Sequence, residues 1–344
     1  MSVGDVASRG LTTTYGQYPG FREENRVVAS WLGQVPHWPI AMLPTLLDEW
    51  DFGTFHLQKI AYSTEPGVSG RAYLLRPAAA PAYPVPGILA LHQHNDEYAA
   101  GKSEVVGLVD NADYPQLRAV RPDDTQRPPS SRVPFAYARE LAERGYIVLA
   151  PDFVGFEEYR DQDEYYQQPS FIRLYEEMLS SKYLLYGSCL MAKHVHDVLV
   201  AVTVLAAMQG VDSNRIGIIG HSLGGEVAAI AATLDSRIKA GVSSCGIVAY
   251  QHFEQSGRAE SAETIIPGFR AAGYNFDFFL RRIAPTPFLA TYGLDEPGAA
   301  ERQQLLPASI EGLAFAGGHG FPAEIRQQCY TFLDRQLHHL AAKV

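Results

Sequence analysis

Ser222 lies in Gly220-His221-Ser222-Leu223-Gly224, a G-x-S-x-G spacing preceded by the apolar run Arg215–Gly220 and followed by the alanine-rich stretch Leu223–Leu234. The pattern predicts a strand, one tight turn and a helix, with the serine at the turn. So tight a turn holds a serine in strained backbone geometry. Side chains two positions before and after it would collide with the neighbouring strand and helix, which accounts for the glycines. The serine oxygen then projects from the sheet edge. The helix starts at once, so its free N–H groups and positive dipole end face any negative charge formed there. This is the layout of a nucleophile that attacks a carbonyl. The plain alternative is a glycine-rich turn that only joins strand and helix.

A serine hydroxyl is a weak nucleophile near neutral pH and needs a base, which in turn needs an acid to orient it. The chain offers eleven histidines. His319, in "FAGGHGF", follows the last short apolar segment and precedes the final helical pattern. That position is a loop at the carboxyl end of the sheet, on the edge that carries Ser222, and the flanking glycines leave the ring room to turn. His338 and His339 fall late in a surface-like helix, and the side chain of His221 should point away from its neighbour's hydroxyl. For the acid, Asp295 in "FLATYGLDEP" falls just beyond the penultimate strand, with Glu296 next to it as the fallback. Asp before Pro is also ordinary turn chemistry.

These residues need a scaffold that brings distant loops to one edge. From "GILALHQH" onward, strand-like segments ("GYIVLAPD", "RIGIIG", "IKAGVSSCG", "TPFLATYG", "GLAFAGG") are separated by helical ones (Phe135–Arg144, Met191–Met208, Leu223–Leu234, Pro322–Leu340). Such alternation predicts an α/β fold with a mostly parallel central sheet and helices on both faces. Before it, "FHLQKIAYST" and "GRAYLLRP" alternate as antiparallel strands. Residues 1–55 read as an irregular N-terminal extension with a helical candidate near Ile40–Trp50, and residues 56–344 as the main domain. Gly101–Pro134 reads as a long loop. Residues 157–188, rich in Tyr and Glu, read either as a cap insertion near the strand ends, where α/β proteins bind ligands, or as a solvated helical face.

Bulk properties narrow the function classes. The 344 residues are 47% hydrophobic, enough to bury a large core, and the formal charge of −10 argues against a nucleic-acid partner. Three widely spaced cysteines without a CxxC fit reduced thiols and a cytoplasmic location. No leader pattern and no long apolar run is read, so no membrane partner is expected. No cofactor or metal motif is read, and a homodimer is compatible with the sequence.

The segments "LHQHND", "GKSEVVGL", "ERGYIVLAPDFVGFEE", "VDSNRIGIIGHSLGG", "IAPTPFLATYGLDE" and "FAGGHGFP" resemble the α/β-hydrolase superfamily and, within it, the dienelactone hydrolase and acetyl xylan esterase-like branch. They span about residues 85–340. The resemblance implies the α/β-hydrolase fold and a triad of Ser222, Asp295 and His319. It also implies an oxyanion hole of two backbone N–H groups: that of Leu223, and one from the loop after "ILALHQHND". There His92-Gln93-His94 stands where relatives carry His-Gly-x, which puts the donor at His94, with Gln93 second. His92, His221 and Phe156 are read as lining the substrate pocket. Dienelactone hydrolase itself uses a cysteine nucleophile, so its lactone specificity does not carry over to a serine.

The leading expectation is a serine esterase for small carboxylic esters, lactones or thioesters. The same apparatus serves amides, peptides or a carbon–carbon bond next to a ketone. A metallohydrolase would use His92-x-His94 with Asp96, but leaves the serine turn unexplained. A non-catalytic binding protein on the same fold is the alternative from another class. Lys102 and Glu104 in "GKSE" read as a solvated loop pair, Asp152 as a turn-fixing residue, and Glu226 as a carboxylate suited to the first turn of its helix.

Overall fold

The computed structural model describes residues 15–36, 43–79, 84–94, 100–108, 135–159, 175–256 and 261–337. Nine strands form one sheet in the order β1-β2-β3-β5-β4-β6-β7-β8-β9. Three of them, β1 (Thr45–Asp51), β2 (Phe55–Glu65) and β3 (Val68–Pro77), are antiparallel and lead into the sheet. The rest, β4 (Val85–Leu91), β5 (Ile147–Pro151), β6 (Val211–His221), β7 (Ile238–Ser244), β8 (Phe288–Gly293) and β9 (Glu311–Phe315), run parallel to one another. All carboxyl ends of the parallel strands therefore lie along one edge.

Neighbouring residues of each central strand enter opposite layers, as the two-residue period requires. Leu89, Leu149 and Ile218 pack beneath the helices α5 (Leu190–Ala206) and α6 (Leu223–Leu234). Ile88, Val148 and Ile219 pack on the other face, against α2 (Lys102–Val106), α3 (Tyr137–Glu143) and α10 (Ala323–Leu337). Burial on both faces explains why β4 and β5 read as unbroken apolar runs. Among the described residues, no helix is long and apolar enough to cross a membrane.

The expected helix near Ile40–Trp50 is instead strand β1 over its described part. Its backbone pairs with β2 from Thr45↔Ala61 to Asp51↔His56, and Trp50 meets Tyr73 edge-on. An unpaired β2 edge would leave a row of backbone groups without partners, and pairing outweighs the local helical pattern. The strand falls inside the segment read as an extension. Ahead of it, Tyr15 donates to the Ala192 carbonyl at 2.9 Å, Asn25 to the Thr233 carbonyl at 2.6 Å and Arg22 to the Ala284 carbonyl at 3.2 Å. Of the expected loop at 101–134, residues Lys102–Val106 are helical, and 109–134 lie outside the described residues. Of the 157–188 insertion, Glu157–Tyr159 form a 3-10 turn and Tyr175–Leu185 the helix α4, while 160–174 lie outside the described residues.

Candidate active site

Strand β6 ends at His221, and Ser222 adopts φ 54°, ψ −123° before α6 begins. A non-glycine residue in that region is strained and is held there by its surroundings. Ser222 N–H donates to the Ser244 carbonyl at 2.8 Å, and its own carbonyl accepts from Gly225 N–H at 2.8 Å and Glu226 N–H at 3.0 Å. The glycines are sterically required. A Cβ on Gly220 would lie 2.2 Å from the Gly224 carbonyl oxygen, and one on Gly224 would lie 2.2 Å from the Leu91 carbonyl oxygen. The second contact also shows that the end of β4 abuts the turn. Glu226 sits buried in the first turn of α6, the favourable end for a carboxylate.

His319 reaches the serine. Its Nε2 is 2.8 Å from Ser222 Oγ, while its Nδ1 faces Glu296 Oε1 across a short hydrogen bond. The carboxylate on the ring is thus Glu296, not Asp295. After β8 the chain turns at Leu294 and Asp295, which point to solvent, and comes back in at Glu296, whose side chain is only 2% exposed. The backbone of Asp295 still serves the site, since its N–H donates to the Gly317 carbonyl at 2.9 Å and fixes the loop that carries His319. Gly293 N–H donates to Glu296 Oε2 at 3.2 Å. Burial pushes the Glu296 carboxyl up, but hydrogen bonding to and charge from His319, together with Arg302 and Gly293 N–H, bring it below the usual range. It is therefore ionised at neutral pH, the state that holds an imidazole with a proton on Nδ1 and a free lone pair toward the serine.

A residue not anticipated for the site is Cys245, the first after β7. It has φ 51°, donates its N–H to the Thr291 carbonyl at 2.8 Å, and lies within 4.8 Å of the ligand atoms of Glu296 and His319. Burial, then the Glu296 charge, push its thiol up to about 12, so it stays protonated. Nothing in the spacing of "SSCG" announces this; the place becomes visible only when β7 and β8 are side by side.

The three residues expected to line the pocket are buried. His92 is fully enclosed: its Nε2 accepts the Phe153 N–H at 3.0 Å, so its Nδ1–H donates to the Gln93 carbonyl at 2.8 Å. Burial lowers its pKa to about 4, which keeps it neutral. It fastens the β4 loop to the end of β5 and offers no nitrogen to a metal paired with His94; Asp96 lies outside the described residues. Phe156 packs its ring on His92 and His94. His221, 3.1 Å from Ser244 Oγ, stacks on Phe321 and lies against His319 with ring centroids 5.1 Å apart, so it supports the histidine from below.

Leu223 opens α6, so its N–H is one of the first-turn donors without an acceptor within the helix. Gln93 and His94 lie two and three positions beyond the end of β4. The His94 ring turns away into a buried contact with Glu176 and Glu263, at 3.2 and 3.3 Å. Lys102 is fully buried, not solvated, and its partner is not Glu104: Nζ lies 2.6 Å from Asp152 and 3.0 Å from Glu157. Asp152 also accepts Lys102 N–H at 2.9 Å, the turn-fixing role expected of it.

A mostly parallel nine-stranded sheet with a strained serine between β6 and α6 is the architecture of the α/β-hydrolase fold. Within that fold, the dienelactone hydrolase family matches this chain over residues 135–270. YtaP of Bacillus subtilis (strain 168), named provisionally as a hydrolase, is 28% identical over 286 residues, which are 77% of this chain and 83% of YtaP. The glucuronoyl esterase from Solibacter usitatus superposes with a TM-score of 0.62 at 16% identity, covering 92% of each chain. Acetyl xylan esterase 1 from Thermoanaerobacterium sp. JW/SL YS485 superposes with a TM-score of 0.57 at 13% identity, covering 99% of each chain. At such identities the last two share the fold.

Proposed function

We propose that the protein is a serine esterase whose triad is Ser222, His319 and Glu296. The observation that carries this reading is the unbroken chain from Ser222 Oγ to His319 Nε2, at 2.8 Å, and from His319 Nδ1 to Glu296. His319 Nε2 takes the hydroxyl proton as Ser222 Oγ bonds to the ester carbonyl carbon. Glu296 holds the ring tautomer and stabilises the imidazolium that forms. The negative oxygen of the tetrahedral intermediate is held by Leu223 N–H and by an amide of the β4 loop, that of His94. The imidazolium returns its proton to the departing alkoxide, leaving an acyl group on Ser222. Water, deprotonated by the same ring, then releases the acid. His319 suits this shuttle, because its side chain is 48% exposed while Glu296 is sealed.

The esterase names of the structural relatives support a small carboxylic ester as the substrate class, with lactones and thioesters open to the same steps. The test is a panel of short- and long-acyl nitrophenyl esters, lactones, thioesters and amides, with Ser222→Ala as the blank. It is paired with labelling by a fluorophosphonate. Ester turnover and labelling that both vanish in Ser222→Ala are expected. Labelling of Ser222→Ala at wild-type level, or ester turnover that survives it, would refute the assignment.

A further inference from the structure

The His94 ring is gripped by two elements that share no sequence neighbourhood with it. Glu176 belongs to α4, and Glu263 to a short 3-10 turn, Ala262–Thr264. His94 Nε2 lies 3.2 Å from Glu176 Oε2, within hydrogen-bond reach, and 3.3 Å from Glu263 Oε2, within ion-pair distance. The carboxylates are themselves tied, because Glu263 N–H donates to Glu176 Oε1 at 2.9 Å. Phe156 closes the side of the ring with an edge-on contact at 5.6 Å. All three polar side chains are nearly or fully buried, at 11%, 10% and 1% exposure. Burying two carboxylates on one imidazole is costly unless the geometry it fixes is worth holding. What it fixes is the residue whose backbone follows β4, three positions beyond Leu91, whose carbonyl oxygen abuts Gly224 in the serine turn.

We propose that His94 is a positioning residue. Its side chain, clamped by Glu176 and Glu263, holds the peptide N–H of the same residue toward the oxygen that becomes negative at Ser222. The proposal rests on the esterase reading and deepens it. The amide N–H at 94 survives substitution by any residue other than proline, so the variants loosen the donor without deleting it. An oxyanion donor acts only when charge develops, and its misplacement is felt in the transition state and not in substrate binding.

The test compares His94→Ala, His94→Gln and Glu263→Gln with wild type. Rates are referred to active sites titrated with a fluorophosphonate, and a trifluoromethyl ketone serves as the mimic of the tetrahedral species. His94→Ala should lower kcat per titrated site ~10- to 100-fold with KM changed less than about threefold, and raise the ketone Ki in parallel with the fall in kcat/KM. His94→Gln, which can still donate to a carboxylate, should recover part of the loss. Glu263→Gln should fall in between, and adding it to His94→Ala should cost little more. Unchanged kcat per titrated site, with only stability reduced, overturns the proposal in favour of a packing role. A raised KM at constant kcat overturns it in favour of substrate contact. Loss of wild-type activity on chelation, reversed by zinc and absent in Glu263→Gln, overturns it in favour of a bound cation at the same three groups. If wild type takes no label at all, the esterase reading has failed, and this proposal falls with it for that separate reason.

Discussion

Two kinds of polar cluster lie along this molecule, and the contrast between them separates chemistry from architecture. On the β6–β9 side, Glu296, His319 and Ser222 form a line with one sealed end and one open end. On the β3–β5 side, Lys102 and Lys193 are both fully buried. Lys102 faces Asp152, Glu157 and Glu158, and Lys193 faces Asp197 at 2.6 Å and Glu65 at 2.8 Å. Both kinds combine cations and carboxylates. In the first the histidine that bridges the other two is 48% exposed, whereas the two lysines at the centre of the second are sealed. A buried charge surrounded by partners has no free valence for a reactant, and its contribution is to fix backbone. The difference is one of access and not of residue type.

The sharpest way to break this contrast is to exchange the acids beside β9. Glu296→Gln should lower kcat/KM by ~10³–10⁴-fold with little change in stability, since the amide disturbs the tautomer of His319 and not the packing. Asp295→Asn should stay within about threefold of wild type. The reverse ranking in ester assays would return the acid to Asp295. Next in size, Lys102→Met should destabilise the fold by ~3–5 kcal/mol, because it leaves carboxylates buried without their cation. The kcat per folded, titratable site should hold, and urea unfolding together with active-site titration separates the two effects.

A smaller effect comes from Asp197. Burial pushes its carboxyl up to about 6 in spite of Lys193. The folded protein thus keeps this proton to about pH 6, whereas an unfolded aspartate releases it near ~3.9. Between those values the folded state binds more protons, so this group costs stability as pH rises, by ~2–3 kcal/mol across the window. Asp197→Asn should flatten the fall in urea midpoint between about pH 4 and 6. A variant curve parallel to wild type would show that Asp197 is ionised throughout. Smallest of all, His221→Phe keeps a ring beneath His319 and removes only the contact to Ser244. It should cost ~1 kcal/mol of stability and leave ester turnover within a few-fold of wild type.

The sequence announces features that depend on short-range sterics. The glycines around Ser222 are forced by contacts within the strand, turn and helix that they join, and those elements carry their own periodicity. His319 was legible because a loop after the last strand must emerge at the carboxyl edge. The position just beyond the penultimate strand favours Asp295 over Glu296, but a place in a turn does not say which of two neighbouring side chains swings inward. The two differ by one position in a turn whose direction is set by the Leu294 and Asp295 N–H bonds to the carbonyls of Phe315 and Gly317, at and just past the end of β9. His92 and Phe156 read as pocket residues from their places after β4 and β5, yet contacts between those two loops bury them. The clamp on His94 had no signal, since its acids come from positions 176 and 263. Strand β1 was hidden because its pairing partner, and not its own pattern, makes it a strand.

The long-range bonds of the first described residues bear on how the chain is made. Tyr15 needs the carbonyl of Ala192, and Arg22 those of Ile283 and Ala284. On a ribosome these donors leave the exit tunnel early, and their acceptors appear only after most of the polypeptide has been translated. This face of the protein can therefore close only once residue 284 has been synthesised, and its amino-terminal segment waits, hydrated, until then.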